Sequence, residues 1–159
     1  MSQSIRECQR CTATAKSGDR CKNRTCKSKM CWQHLKAKKG LRIKPSEIAN
    51  AGFGLFASKR IPRGKVIAPY TGEVLTRAQV DQRYPGDVTG QYVLCTSRTR
   101  CIDGRKSTAG AARFANSARG STKKNNAKLT AAGNLAARQA IGVNKEILTS
   151  YGKDYWKGS

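Results

Sequence analysis

The stretch Ala51-Gly52-Phe53-Gly54-Leu55-Phe56-Ala57 decides how the rest of the chain is read. Two glycines flank an aromatic ring and lead straight into an apolar run. Without a Cβ, the backbone there can turn sharply and a ligand can approach it closely, so the pattern reads as a turn feeding a strand beside a binding site. Alone, such a pair is usually just a turn. Its weight comes from two patches downstream. One is Arg113-Phe114-Ala115-Asn116-Ser117-Ala118, where Asn116 can both donate and accept hydrogen bonds. The other is Glu146-Ile147-Leu148-Thr149-Ser150-Tyr151-Gly152-Lys153-Asp154-Tyr155-Trp156, a strand closing on an aromatic cluster.

Between the patches the chain keeps one texture, with short apolar runs punctuated by Gly, Pro and Asn. Strands are predicted at 54–57, 66–70, 92–94, 134–137 and 146–150. Thr76 as an N-cap, with Val80 and Tyr84 four residues apart, predicts a short helix over 76–84, and a second is expected over 109–114. Residues 110–128 hold few large apolar side chains besides Phe114 and read as a solvated loop. The fold class expected is mainly β with short helices, and no internal repeat is visible.

Length and charge bound the rest. A chain of 159 residues suits one compact domain, or one with a small appendage. No run approaches the roughly 18–20 apolar residues of a membrane helix, and the first eight residues lack the apolar centre of a secretory signal, so a soluble intracellular protein with no membrane partner is expected. Lys and Arg number 32 against 9 Asp and Glu, a formal +23. Residues 1–44 hold 13 basic and 2 acidic side chains and residues 45–159 hold 19 and 7, so the excess is spread along the chain. Such a surface attracts a polyanion, and nucleic acid or chromatin is the expected partner.

Five of the seven cysteines fall within the first 31 residues, and the only histidine, His34, follows them. In a reducing compartment clustered thiols with an imidazole mean metal more often than cross-links. Zinc wants four soft or borderline ligands on short loops, and Cys11-x9-Cys21-x9-Cys31-x2-His34 supplies them, with Gly18 turning the chain back toward Cys21. Cys8 and Cys26 are left over. Cys26 can replace Cys11 or Cys21, and Cys8 with Cys11 makes a competing C-x2-C knuckle, so the quartet stays open at this point. The segment resembles small Cys3His modules of the form C-x-A-x-x-K-x-G-x-x-C closed by C-x-x-H, found among other places in large DNA viruses. A closed four-ligand site has no open position for substrate, so its task is structural or docking. The division expected is a zinc-binding module with a basic linker at 1–40 and a second domain at 41–159.

In this order and spacing, the three patches resemble the SET domain of protein lysine methyltransferases over roughly residues 41–157. Connecting pieces agree: Ile61-Pro62-Arg63-Gly64-Lys65-Val66-Ile67, Tyr70-Thr71-Gly72-Glu73, Tyr92-Val93-Leu94 with Cys101-Ile102-Asp103-Gly104, Asn126-Ala127, and Ala137-Arg138-Gln139-Ala140-Ile141. The C-terminal Ser150-Tyr151-Gly152-Lys153-Asp154-Tyr155-Trp156 is similar to that of short virus-encoded members. The resemblance implies a β-clip of three small sheets with a threaded C-terminal segment, S-adenosylmethionine on one face and a lysine entering by a channel from the other. It implies that Gly52, Phe53, Gly54, Arg113, Phe114, Asn116, Tyr151 and Trp156 hold the cofactor. Tyr151 is the expected catalytic residue, with Tyr70 and Tyr92 flanking the lysine channel. Only a neutral amine can attack a sulfonium methyl, and deprotonating a lysine of pKa about 10.4 near pH 7 costs roughly 4–5 kcal/mol. An apolar channel beside the sulfonium lowers that cost without a strong base.

Three departures accompany the resemblance. The family's N-H-S is Asn116-Ser117-Ala118, its G-E-E is Asn144-Lys145-Glu146, and no cysteine-rich tail follows Ser159, so Tyr155 and Trp156, or a second subunit in a homodimer, are expected to close the channel. Two functions follow as expectations. The first is a methyltransferase acting on a histone tail or another basic chromatin protein, in the nucleus or on chromatin, with the cytoplasm as the alternative. Glu73, Asp87, Asp103, Glu146 and Asp154 are then the groups able to attract a cationic tail. The second is an inactive SET-like scaffold that binds nucleic acid through its zinc module and basic surface.

Overall fold

Residues 5–85 and 92–150 are described in the computed structural model. Their architecture is mainly β, in four small sheets. At the N-terminus β1 (Gln9–Arg10) pairs antiparallel with β2 (Arg24–Thr25). A single turn, α1 (Trp32–His34), continues as a wider turn over Leu35–Lys39 and stops at Gly40, whose φ of +66° is the left-handed conformation that glycine adopts without strain. β3 (Leu41–Pro45) and β4 (Phe53–Ala57) then form an antiparallel hairpin with Leu41 opposite Ala57 and Pro45 opposite Phe53.

The two remaining sheets are built from distant pieces. β5 (Val66–Pro69), β9 (Ala127–Leu129), β10 (Asn134–Ala137) and β11 (Thr149–Ser150) lie in the order β11-β9-β10-β5, with β11 parallel to β9 and the other pairs antiparallel. β6 (Glu73–Leu75), β7 (Val93–Cys95) and β8 (Cys101–Asp103) form a three-stranded sheet with β8 central. Leu41, Leu55, Ile61, Leu135, Ile141 and Ile147 meet in one core under these sheets. Full burial of each such side chain is worth about 1.5–3 kcal/mol before entropy is counted.

The helical expectations hold in different ways. α2 (Arg77–Arg83) starts where Thr76 predicts, because Thr76 and Gln79 exchange side-chain-to-backbone hydrogen bonds in a capping box. The second helix is only a 3-10 turn, Ala111–Phe114, since a run of alanines beside Gly110 offers too little apolar face for more. The strand expected over 146–150 is mostly a threaded segment. Glu146 bridges Phe56, Leu148 bridges Asn116, and the Leu148 carbonyl accepts from the backbone N–H groups of Asn126 and Ala127. Only Thr149 and Ser150 join a ladder.

One expectation is corrected. Cys8 and Cys26 are not spare thiols but a disulfide, and Cys95 and Cys101 form another. The ladders explain both. With Gln9 opposite Thr25, the next pair outward in an antiparallel register is Cys8 and Cys26, and Cys95 sits directly opposite Cys101. Spacing alone carried no register, so neither pairing was visible in it. Cys26 is therefore unavailable as a metal ligand, and the Cys8/Cys11 knuckle does not exist.

The N-terminal block is docked along its length. Ile5 N–H donates to the Arg105 carbonyl and Ser107 N–H donates back to Ile5, each at 2.7 Å. Ser28 N–H donates to the Ser107 carbonyl at 2.8 Å, and the Ser107 hydroxyl exchanges hydrogen bonds with the Glu7 backbone at 2.8 and 2.9 Å. Lys106 pairs with Glu7 at 3.2 Å. Among the described residues no helix is long and apolar enough to cross a membrane.

Asp103 at the end of β8 anchors α2 to its sheet. Its buried carboxylate accepts from the Tyr84 hydroxyl at 2.7 Å, Arg83 Nη1 at 2.9 Å and the Arg105 backbone N–H at 3.0 Å. Burial and the bond to Asp103 push the Tyr84 pKa up to about 12. The folded value lies above the unfolded one of about 10, so this stabilisation is complete below about pH 10 and disappears as pH rises toward 12. Titration followed at 295 nm should show one tyrosine ionising late, and Tyr84→Phe should delete that phase and cost roughly 1.5–3 kcal/mol in urea unfolding. A late phase that survives in the variant would reassign it to another tyrosine.

Candidate cofactor cavity and metal centre

In the N-terminal block, Cys11, Cys21, Cys31 and His34 present ligand atoms that all lie within 4.8 Å of one another. Cys11 follows β1, Cys21 precedes β2, and α1 places Cys31 and His34 on one turn. His34 Nδ1 stands 3.3 Å from Cys31 Sγ and 3.7 Å from Cys11 Sγ. A tetrahedron with zinc–sulfur bonds near 2.3 Å has edges of roughly 3.5–3.8 Å, so the four atoms fit that cation. The three cysteines are buried and free of disulfides.

Their electrostatics favour a cation. At Cys31 burial opposes charge, but the His34 backbone and the Asn23 amide, followed by the His34 ring and Cys11, bring its pKa down to about 6. At Cys21 the Asn23 backbone favours the thiolate, while burial and the Cys11 and Cys31 sulfurs outweigh it and push the pKa up. Sulfurs that compete for protons in this way are relieved by a shared dication.

The second site is a cavity of about 520 Å³ between the two blocks. Gly52, Phe53, Tyr92, Arg113, Phe114 and Asn116 line it, so six sequence-predicted residues from three distant stretches come together. Gly52 carries φ of +68° with open space where a Cβ would project, and serves as the turn; Phe53, 41% exposed, opens β4 and lines the cavity. The 3-10 turn delivers Arg113, whose guanidinium stacks 4.1 Å from the Tyr92 ring centroid and donates to the carbonyls of Gly104 and Arg105. Asn116 donates to the Phe53 carbonyl at 2.9 Å, tying the first patch to the second.

Gly54 does not line this cavity. It faces the third patch, and a Cβ there would overlap the Glu146 carboxylate. Glu146 is buried, accepting from the Ser46 hydroxyl at 2.6 Å, the Glu47 backbone N–H at 2.9 Å and, more weakly, Asn116 at 3.5 Å. So the strand, the Asn116 patch and the threaded segment share one carboxylate. The sequence pointed to Glu146 as part of a charge-altered turn and as a group to attract a cationic tail, not as the carboxylate joining these patches.

Tyr70 lies against another cavity, of about 600 Å³, with Gly72, Ile102 and Thr108. Its ring is buried and its hydroxyl donates to the Tyr92 carbonyl at 2.7 Å, so a tyrosine lining one cavity is tied to a tyrosine lining the other. Tyr151 and Trp156 lie outside the described residues, as do Asp87, Asp154 and Tyr155. Of the carboxylates expected to attract a cationic tail, the three among the described residues are engaged internally. Arg83 holds Glu73 at 2.7 Å and Asp103 at 2.9 Å, and Glu146 is committed as described. The sequence also missed Arg6 and Lys27 of the N-terminal block, and Ser107 on which that block docks, all of which line the 520 Å³ cavity. No motif marked them.

A β-clip of small sheets, a threaded segment over residues 146–150 and a cavity lined by Gly52, Phe53 and Asn116 together define a class of protein. A family model described as SET domain matches residues 52–152, and the chain belongs to this family. SET domains bind S-adenosylmethionine, and the family generally methylates protein lysines. A search of curated proteins finds no significant match to this chain.

Proposed function

We propose that the protein is an S-adenosylmethionine-dependent lysine methyltransferase acting on histone or another basic chromatin-associated protein. The support that carries most weight is the convergence of Gly52, Phe53, Tyr92, Arg113, Phe114 and Asn116 on one cavity of about 520 Å³, a size suited to a cofactor-sized ligand. When bound, the cofactor supplies a methyl group on a sulfonium. Gly52 keeps the first patch slim enough for it to approach, while Gly54 makes room for the Glu146 carboxylate that braces that patch; Phe53 and Phe114 give apolar cover, and Asn116 and Arg113 offer polar contacts. Tyr151 and Trp156 complete the holding set, and Tyr151, with Tyr70 and Tyr92, orients the uncharged amine for in-line attack.

Residues 1–40 form a zinc-binding unit with Cys11, Cys21, Cys31 and His34 as ligands, and residues 41–159 form the methyl-transfer unit. Because Glu73, Asp103 and Glu146 are paired internally, attraction of a lysine-rich tail must come from elsewhere. A formal charge of +23 supplies it by holding the enzyme on DNA, at high effective concentration of the tail, in a nuclear or chromatin setting. A second copy of the chain is a further partner, and a virus-encoded origin accords with the likeness of Ser150-Tyr151-Gly152-Lys153-Asp154-Tyr155-Trp156 to virus-encoded members.

Ser117, standing where the family carries histidine, favours the second reading of an inactive nucleic-acid-binding scaffold. Incubation with labelled S-adenosylmethionine and either free histones or nucleosomes separates the two. Label transfer is expected, stronger on nucleosomes at low salt, and Tyr151→Phe should lower it by about a hundredfold or more, in the range typical of a group that positions the reacting atoms. No transfer together with no cofactor binding by calorimetry would establish the scaffold reading. Equal transfer to free and nucleosomal histones at every salt concentration would remove the DNA anchor.

A further inference from the structure

Three residues of the N-terminal block, Arg6, Cys26 and Lys27, line the same cavity as the SET-domain patches. Resting on the cofactor reading above, we infer that this block is a working wall of the cofactor site, in which Arg6 and Lys27 hold the α-carboxylate of the methyl donor.

The anchoring comes first. Arg6 stands between Ile5 and Glu7, both hydrogen-bonded to the 105–107 segment, and Lys27 stands between Cys26, disulfide-linked to Cys8, and Ser28, whose N–H is held by the Ser107 carbonyl. Both cations are thus presented from backbone fixed on either side. Ser28 is buried with φ of +93°, a conformation that a non-glycine residue keeps only when its surroundings enforce it. That strain sits next to Lys27, at the rim of the cavity.

The chemistry comes second. Arg6, Lys27 and Arg113 give the cavity three cations, and no carboxylate lines it among the described residues. Arg113 is committed to the Gly104 and Arg105 carbonyls. Arg6 and Lys27 form no ion pair with a carboxylate among the described residues. Lys27 Nζ rests 3.7 Å from the Phe53 ring centroid, which holds the ammonium at the cavity while leaving its donors available. Cations gathered without a counter-charge want an anion, and the only anionic group on the methyl donor or its demethylated product is the amino-acid carboxylate.

Calorimetry on the full chain tests this with two probes, S-adenosylhomocysteine and 5′-methylthioadenosine, which lacks the amino-acid moiety. Arg6→Ala and Lys27→Ala, both at exposed positions, are each expected to raise the S-adenosylhomocysteine Kd about tenfold, the size of one charge-assisted contact, and to leave 5′-methylthioadenosine unaffected. Wild-type protein that binds S-adenosylhomocysteine with a Kd indifferent to both substitutions overturns the inference and spares the cofactor reading. Equal weakening of both probes also overturns it, because the residues would then act through the shape of the wall. Wild-type protein that binds neither probe removes the cofactor reading and the inference together.

Discussion

Gly72→Ala is expected to destabilise the protein by about 3 kcal/mol or more, one of the largest effects of any single methyl group in this chain. A Cβ at Gly72 would overlap the Asp103 carbonyl oxygen and lie 2.6 Å from its carbon and 2.9 Å from Gly104 N. All of these are backbone atoms, so no rotamer change relieves the overlap. The chain must instead part β6 from β8 at the Glu73–Asp103 pair, which Arg83 also clasps at 2.7 and 2.9 Å. Loosening it loosens the buried Asp103 carboxylate and the Tyr84 hydroxyl bound to it. At roughly 2–4 °C per kcal/mol for a chain of this size, thermal denaturation should show the midpoint falling by about 6–12 °C. Gly64→Ala is the matched control. Gly64 has φ of +83° but nothing within 4 Å of an added Cβ, so it should lose only the roughly 1–2 kcal/mol of a left-handed alanine. Equal midpoints for the two variants would show that the β6–β8 approach is not tight in solution.

The contrast between Gly72 and Gly64 shows where the sequence was legible. Both were read inside family-like segments, yet nothing in either segment says which glycine faces backbone and which faces solvent. Local signals carried what is local. Thr76 and Gln79 announce α2 because a capping box is complete within four residues, and the apolar runs of β5 and β10 announce strands. That Ala68 lies opposite Leu135 is a long-range pairing that only the assembled core decides.

The candidate site divides in the same way. Cys11, Cys21, Cys31 and His34 were legible because metal chemistry restricts both residue type and spacing. Cys8 and Cys26 carry the same residue type and were left open, since their fate depends on a ladder register that spacing does not encode. Gly52, Phe53 and Asn116 were legible as a resemblance in three patches. Glu146 as the carboxylate joining those patches was not, because its partners are a backbone N–H, a serine and an amide scattered over 100 positions of sequence. Ser107 was invisible for a related reason: it ties down Ile5, Glu7 and Ser28 largely through backbone groups that every residue possesses.

The largest expected effect on the N-terminal block is that of Cys31→Ser. The buried cluster of that block is Cys11, Ala13, Cys21 and Cys31, with Met30 packed against it, so its interior consists mainly of the ligands themselves. Side chains this small bury little apolar surface, whereas a structural zinc contributes on the order of 10 kcal/mol to folding. Cys31 also donates its N–H to Cys11 Sγ at 3.2 Å, and its carbonyl starts the turn that carries His34. Replacing its sulfur should therefore release bound zinc and strip hydrogen-exchange protection from the Cys11 and Cys21 amides, while β5 and β10 stay protected because their core lies elsewhere. Cys26→Ser loses the disulfide across 18 residues, worth roughly 3 kcal/mol, yet removes no ligand, so it should keep its zinc. Because Arg6 and Lys27 hang from the same block, Cys31→Ser should also weaken S-adenosylhomocysteine binding at least as much as either alanine. Zinc content and amide protection unchanged from wild type in Cys31→Ser would mean that the four side chains converge without holding a metal.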